Sequence, residues 1–347
     1  MRIGDYQESY AADEALFRTP TQRVWLMAAG AAAVVFPFLA GDYLLYLANL
    51  VGLLAIGALG LNILTGFTGQ ISLGHAGFMG VGAYTVAIAA TRLSLPFWIA
   101  VPLGGAAACL AGAVVGVPSL RIKGLYLAIS TLAAQVIFEW VFGNWTDLTG
   151  GIRGINVAPA TFLGFAFDSD RRIYFLIHGL AALHAYGAAN LFRTRVGRAF
   201  VAVRDRDLSA ELMGVNLFRT KILAFMVSSY YAGIAGGMWV YFTKVVTPEN
   251  FPLSLSIQFL AMIIVGGLGS VQGTLLGTVF ITLVPEGLKV LTQAVRPFAP
   301  DAMSYLFPLR DILFGAMIVA FLIFEPHGLA EVWRRIRRFF ALWPFPK

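Results

Sequence analysis

The sequence predicts an all-α fold: a polytopic integral membrane protein of about ten transmembrane helices, with both termini cytoplasmic. Three observations predict it. Mean hydropathy is +0.77 over 347 residues, with 59% hydrophobic against 12% charged residues, which leaves too little polar surface to cover a water-soluble globule. Apolar runs near the roughly 20 residues that cross a hydrocarbon core recur from residue 24 to residue 325. The cations gather in short segments between those runs, as the positive-inside rule describes.

Residues 1–23 are polar and of mixed charge, and read as a cytoplasmic N-terminal extension. The apolar run after them lacks a small-x-small cleavage site followed by a soluble domain, so it reads as a first transmembrane helix and not as a signal peptide. Ten spans are placed at 24–41, 43–65, 73–91, 97–117, 124–143, 173–192, 222–242, 255–269, 271–291 and 309–325. Glycine and polar residues interrupt the third, eighth and ninth, which leaves open whether these are full or broken helices. An even count returns the termini to one side, and residues 326–347 form a basic cytoplasmic tail. With the N-terminus inside, 17 Lys and Arg fall in inner segments and 6 in outer loops, and that bias fixes the orientation. The net charge of +7 therefore reflects topology, and membrane lipid, not nucleic acid, is the expected partner. The single cysteine, Cys109, lies in an apolar run and excludes an intramolecular disulfide.

Two stretches carry unusual glycine. From Gly66 to Thr85 the chain reads G-F-T-G-Q-I-S-L-G-H-A-G-F-M-G-V-G-A-Y-T. Irregular backbone at membrane depth is tolerated only where protein or a water-filled cavity covers it, so Gln70, Ser72 and His75 become candidates to line a translocation pathway. Small-residue helix packing accounts for the same glycines, and both readings stand at this level. The second stretch, I-V-G-G-L-G-S-V-Q-G-T-L-L-G-T from Ile264 to Thr278, leaves little room for two uninterrupted helices. Two glycine-broken segments in separate halves suggest an internal repeat around a central route. Gln135 and Gln258, polar residues inside apolar spans, complete the pathway candidates.

Catalytic chemistry is not expected. The four histidines are scattered, His178 and His184 sit six apart on different faces of one helix, and no H-E-x-x-H or paired-carboxylate motif accompanies them; no metal site and no cofactor are assigned. Glu139, Glu286 and Asp311 fall near span ends, where snorkelling or pairing with Lys289 and Arg310 accounts for them. The chain contains no Gly-Lys dipeptide and hence no P-loop, so the energy for driven transport would have to enter from a partner.

The island from Arg193 to Lys221 holds seven Lys/Arg and three Asp/Glu between two apolar runs. Within it, R-D-R-D-L-S-A-E-L-M-G-V-N from Arg204 to Asn216 predicts a short amphipathic helix of three turns at most. Asp207 serves as N-cap, Leu208, Leu212 and Val215 form an apolar stripe, and Gly214 and Asn216 provide the stop. Such a helix either lies on anionic headgroups or docks in the groove of a soluble partner.

Four motifs resemble the membrane-spanning permease subunits of branched-chain amino acid ABC transporters of the Liv type. They are L-T-G-F-T-G-Q-I-S-L-G-H-A-G-F-M-G-V-G-A-Y from Leu64, G-R-A-F-V-A-V-R-D-R-D-L-S-A-E-L-M-G-V-N from Gly197, I-V-G-G-L-G-S-V-Q-G-T-L-L-G from Ile264 and F-E-P-H-G-L from Phe324. The resemblance implies that residues 24–325 form a permease domain in the bacterial plasma (inner) membrane and import branched-chain or related amino acids. It also implies four partner chains: a second, similar permease, two cytoplasmic ATP-binding subunits and a periplasmic solute-binding protein. Arg204 to Asn216 then resembles the coupling helix, with Asp207, Ala210, Glu211 and Gly214 matching the family's pattern for ATPase coupling. Thr149 to Ile155 is similar to the family's outer loop, where the binding protein docks. The same motifs also serve urea, short amides and other small solutes, and from another class a secondary carrier or channel working without ATPases is the rival.

Overall fold

The computed structural model describes residues 20–119, 124–162, 164–295 and 328–342, together with 312, 315–316, 318–321 and 323–325. Twelve helices are named here in chain order: α1 Pro20–Leu39, α2 Asp42–Leu61, α3 His75–Arg92, α4 Phe97–Ser119, α5 Leu125–Asn144, α6 Asp170–Leu191, α7 Arg195–Asp205, α8 Asp207–Leu212, α9 Leu217–Thr243, α10 Leu253–Gly266, α11 Val271–Val295 and α12 Gly328–Leu342. Among the described residues five helical segments are long and apolar enough to cross a membrane, or six if α6 and α7, bent by 72°, count as one span. The chain is thus a multi-pass α-helical membrane protein. The run 309–325, expected as the tenth span, lies partly outside the described residues, and 1–19, the Arg121 and Lys123 loop, Arg310, Asp311 and His327 lie wholly outside them.

The centre of the fold is α9, which packs on α2, α3 and α4. Small residues make that possible. A methyl group at Gly82 of α3 would run into the backbone of Gly233 on α9, and one at Gly236 would run into the carbonyl of Met79. In lipid no hydrophobic force drives apolar helices together, so close backbone approach and the dispersion it brings hold such contacts. Gly77 and Gly80 work alike on the other side of α3, making room for Phe138 and Phe142 of α5. Small-residue packing is therefore present across Gly74 to Gly82.

The two glycine-rich stretches differ. After α2 the chain passes through a π-turn over Asn62–Gly66 and then non-helical backbone to Gly74 before α3 begins, so the break before the third span is real. The second stretch corrects the expectation that little room remains for two uninterrupted helices. Its break is confined to a tight turn, where Gly267 (φ 114°) and Gly269 (φ 74°) take conformations that favour glycine. Gly266, Gly273 and Gly277 instead lie on the facing sides of α10 and α11, and α11 runs unbroken for 25 residues.

With 27 residues, α9 spans about 40 Å at 1.5 Å per residue and separates two ends of the molecule. The charged island leads into its first turns, which hold Arg219 and Lys221. At its far end, strand β1 (Ile155–Asn156) pairs antiparallel with β4 (Val245–Val246), and β2 (Thr161–Phe162) with β3 (Phe165–Ala166) forms a small hairpin. The loop Thr149 to Ile155 lies beside β4, shaped by left-handed Gly150, Gly151 and Gly154.

Candidate functional site

The island folds as two helices, not one. Thr194 caps α7, its hydroxyl accepting from the Gly197 amide at 3.2 Å, and Phe200 and Val203 turn inward and are buried. That helix was legible: Val196, Phe200 and Val203 recur at i, i+4 and i+7 behind a capping threonine. Extended backbone at Arg206 (φ −157°) separates α7 from α8, which spans only six residues. Asp207 is not the cap. It is the first helical residue, its carboxylate accepts from the Leu208 amide at 2.9 Å, and its other oxygen lies 3.8 Å from Lys221 Nζ. Gly214 ends the helix at φ 85°, whereas Asn216 caps the next one, accepting from the Arg219 amide at 2.9 Å.

The apolar stripe also differs from expectation. Ala210 faces inward, 4% exposed, while Leu208, Leu212 and Met213 stand 67%, 82% and 86% exposed. Val215 lies beyond the helix and is half-buried. Glu211 is exposed beside these side chains. The result is a short projecting knob, apolar at its tip and acidic at its side.

Beneath the knob the two glycine-rich stretches meet. The side chain of Asn62 accepts from the Gly269 amide at 3.0 Å and donates to the Ser270 carbonyl at 3.3 Å. Arg204, the penultimate residue of α7, donates to the Gly66 carbonyl at 3.1 Å and reaches Asp205 at 3.0 Å. A methyl group at Gly269 would lie 3.0 Å from the same guanidinium. A cavity of about 530 Å³ opens here, lined among others by Gln70, Arg204, Asp207 and Lys221. Gln70 is buried, and neither atom of its side-chain amide has a partner among the described residues.

The start of α3 is fastened by side chains from other helices. Thr131 Oγ1 accepts from the Leu73 amide at 2.9 Å, Ser256 Oγ from Ala76 at 2.9 Å and Gln135 Oε1 from Gly77 at 2.5 Å. Gln135 then donates through Nε2 to the Phe251 carbonyl at 2.8 Å and to Glu139 at 2.9 Å. These groups satisfy amide donors that a helix start leaves without intrahelical partners. Ser72 is buried beside them. His75 is buried with Nε2 2.8 Å from the Gly57 carbonyl and its ring edge-on to Phe259. Gln258 is half-buried on α10. The structure thus places Ser72, His75 and Gln135 around the start of α3, each on a different backbone group, Gly74, Gly57 and Gly77 in turn, and Gln70 in the cavity.

Asn62, Thr131, Arg204 and Ser256 belong to this arrangement, and reading the sequence did not single them out. Only Arg204 carried a signal, as the first residue of the motif that runs to Asn216. His178 and His184 each place Nδ1 on the carbonyl four residues earlier, at 3.1 and 2.8 Å, a local helix contact. Lys289 pairs with Glu286 at 2.5 Å, and Tyr43 donates to the same carboxylate. Among the described residues no group of three or more His, Cys, Asp or Glu side chains could hold a metal ion.

Residues 43–322 match the family described as branched-chain amino acid transport system / permease component. The chain is 31% identical to the high-affinity branched-chain amino acid transport system permease protein LivM of Salmonella typhimurium, over 91% of this chain and 76% of the relative. It is 27% identical to the probable branched-chain amino acid transport permease protein LivH of Methanocaldococcus jannaschii, over 82% of this chain and 91% of the relative. The autoinducer 2 import system permease protein LsrC of Enterobacter sp. is 29% identical over 67% of this chain and 66% of the relative. No solved structure matches. With a family match over most of its length and a 31% identical relative covering 91% of it, the chain belongs to the family of branched-chain amino acid transport system permease components.

Proposed function

We propose that this permease is one membrane-spanning half of an ATP-binding-cassette importer for branched-chain amino acids in the bacterial inner membrane. It pairs with a second permease, and a periplasmic solute-binding protein delivers the solute at Thr149 to Ile155. Two cytoplasmic ATPases supply the energy, one of them gripping α8. Ten spans with both termini inside suit this assembly, since they put the island and the basic tail on the ATPase side. The observation that carries the reading is the exposed tip of Leu208, Leu212 and Met213, standing on a base that Arg204 ties to Gly66. A knob with an apolar tip suits a groove, and its tether provides a route by which pressure from below reaches the broken helices. Asp207, Ala210, Glu211 and Gly214 shape that knob.

Among the pathway candidates, Gln70 and Gln258 are the side chains available to a passing solute. Ser72, His75 and Gln135 hold the backbone around them. Uptake of radiolabelled leucine into proteoliposomes tests the whole reading. Transport should require the ATPases, ATP and the binding protein, and Glu211→Arg should abolish uptake while ATP hydrolysis continues. Uptake by the chain alone would establish the rival carrier or channel. The LsrC relatives are named for a different solute, so competition by isoleucine and valine, against urea and short amides, sets the substrate class.

A further inference from the structure

Beyond the Gly267–Gly269 turn, α11 and α12 flank an open groove of about 740 Å³. Its walls are apolar on both sides. From α11 come Leu276, Val279, Phe280, Leu283, Val284 and Gly287, the i, i+3, i+4, i+7 series that makes one helix face. From α12 come Leu329, Val332, Trp333 and Ile336, the same spacing on a second helix. Trp333 and Ile336 remain 52% and 44% exposed. The other side of α12 is cationic: Arg334, Arg335, Arg337 and Arg338 crowd into five positions and are all exposed. Glu331 holds Arg334 at 2.7 Å and Glu325 holds Arg335 at 3.0 Å, so the tail keeps a net positive face. Gly287 borders the groove, and a methyl group there would meet nothing within 4 Å.

We infer that this groove binds a phospholipid with an anionic headgroup, its acyl chain along α11 and its phosphate on the arginines of α12. The wall from Leu276 to Gly287 is about 16 Å long at 1.5 Å per residue, enough for much of an acyl chain. An amphipathic helix with arginines on one side and tryptophan on the other belongs at the boundary between headgroups and chains. The charge selects the lipid: a cluster of arginines beside a membrane helix attracts phosphate that carries no compensating choline. The site stands apart from the ATPase and solute assignments above and does not depend on them.

Bromine on a lipid chain quenches nearby tryptophan, which turns Trp333 into a reporter. The full chain in detergent micelles is titrated with chain-brominated phosphatidylglycerol or phosphatidylcholine, and the quenching absent from Trp333→Phe is taken as the local signal. Half-quenching is expected at a phosphatidylglycerol fraction about fivefold lower than for phosphatidylcholine, the preference of one or more arginines near phosphate. The double substitution Arg337→Gln and Arg338→Gln should erase that preference. Gly287→Leu should weaken quenching by both lipids by filling the groove, with size-exclusion profiles checking that each variant remains monodisperse. Equal quenching by the two lipids in the wild type would overturn the proposal in favour of ordinary bilayer contact. Absence of any Trp333 signal would overturn it too, since another segment or a partner helix would then occupy the groove.

Discussion

Arg204 donates from Nη1 to the carbonyl oxygen of Gly66 at 3.1 Å, across 138 residues of sequence. A charged side chain at the end of α7 thereby meets the end of the π-turn that closes the second span. Its other terminal nitrogen is held by Asp205, so the guanidinium is fixed from two directions. Replacing Arg204 with alanine should cut ATP-driven leucine uptake at least tenfold, because hydrogen bonds from charged donors are worth roughly 1.5–3 kcal/mol. Lysine should not restore it, since one ammonium cannot span the carbonyl and the carboxylate as a planar fork does. Wild-type uptake by Arg204→Lys, measured in proteoliposomes alongside ATP hydrolysis, would remove Arg204 from the coupling route.

At the tip of α8, Leu212 is 82% exposed, so Leu212→Asp breaks no internal contact of note. Thermal stability should stay within about 0.5 kcal/mol of wild type. Co-purification with the ATPase should nevertheless collapse, as a buried anchor at an interface is worth about 2 kcal/mol or more. If the ATPase still co-purifies in full, docking lies elsewhere on the island.

Gly236 is the tightest point of the α3–α9 contact, with the Met79 carbonyl where a methyl would go. Gly236→Ala should therefore destabilise by about 1–3 kcal/mol through overpacking, seen as a lower unfolding temperature in detergent. Gly179→Ala supplies the control: nothing lies within 4 Å of that site, and an added methyl in a helix should leave stability unchanged or slightly raised.

Most of the helices were legible because a hydrocarbon core sets their length, and nine of the expected spans overlap helices α1 to α6 and α9 to α11. What glycine does at each place was not. Gly82 removes a side chain for packing, Gly269 allows a left-handed turn, and both are the same letter inside an apolar run. The meeting of Asn62 with Gly269, 207 residues apart, has no local signal at all, because one sequence shows neither which polar groups need partners nor where those partners are. The knob was half legible. Its position followed from charge and its stop from Gly214, yet Val215 falls beyond the helix and the exposed face takes in Met213 instead.

Gln135 and Gln70 look alike in the sequence, each a glutamine in an apolar setting, but the structure separates them. Gln135 holds the Gly77 amide, the Phe251 carbonyl and Glu139, so Gln135→Leu takes its buried donor from the Phe251 carbonyl and leaves the Gly77 amide only its local bond to the Gly74 carbonyl. A loss of about 1–3 kcal/mol follows from that desolvation, and uptake should fall in proportion to the folded protein remaining. Gln70 makes no such side-chain bond among the described residues, so Gln70→Leu has none to lose. Its unfolding temperature should hold or rise, since a buried amide without a partner costs free energy that an apolar side chain does not. Per folded molecule, however, Gln70→Leu should change leucine uptake while ATP hydrolysis continues, because the free amide borders the cavity at the base of the knob. Unchanged uptake with unchanged stability would place Gln70 outside the route, whereas a stability loss matching that of Gln135→Leu would make it a packing residue.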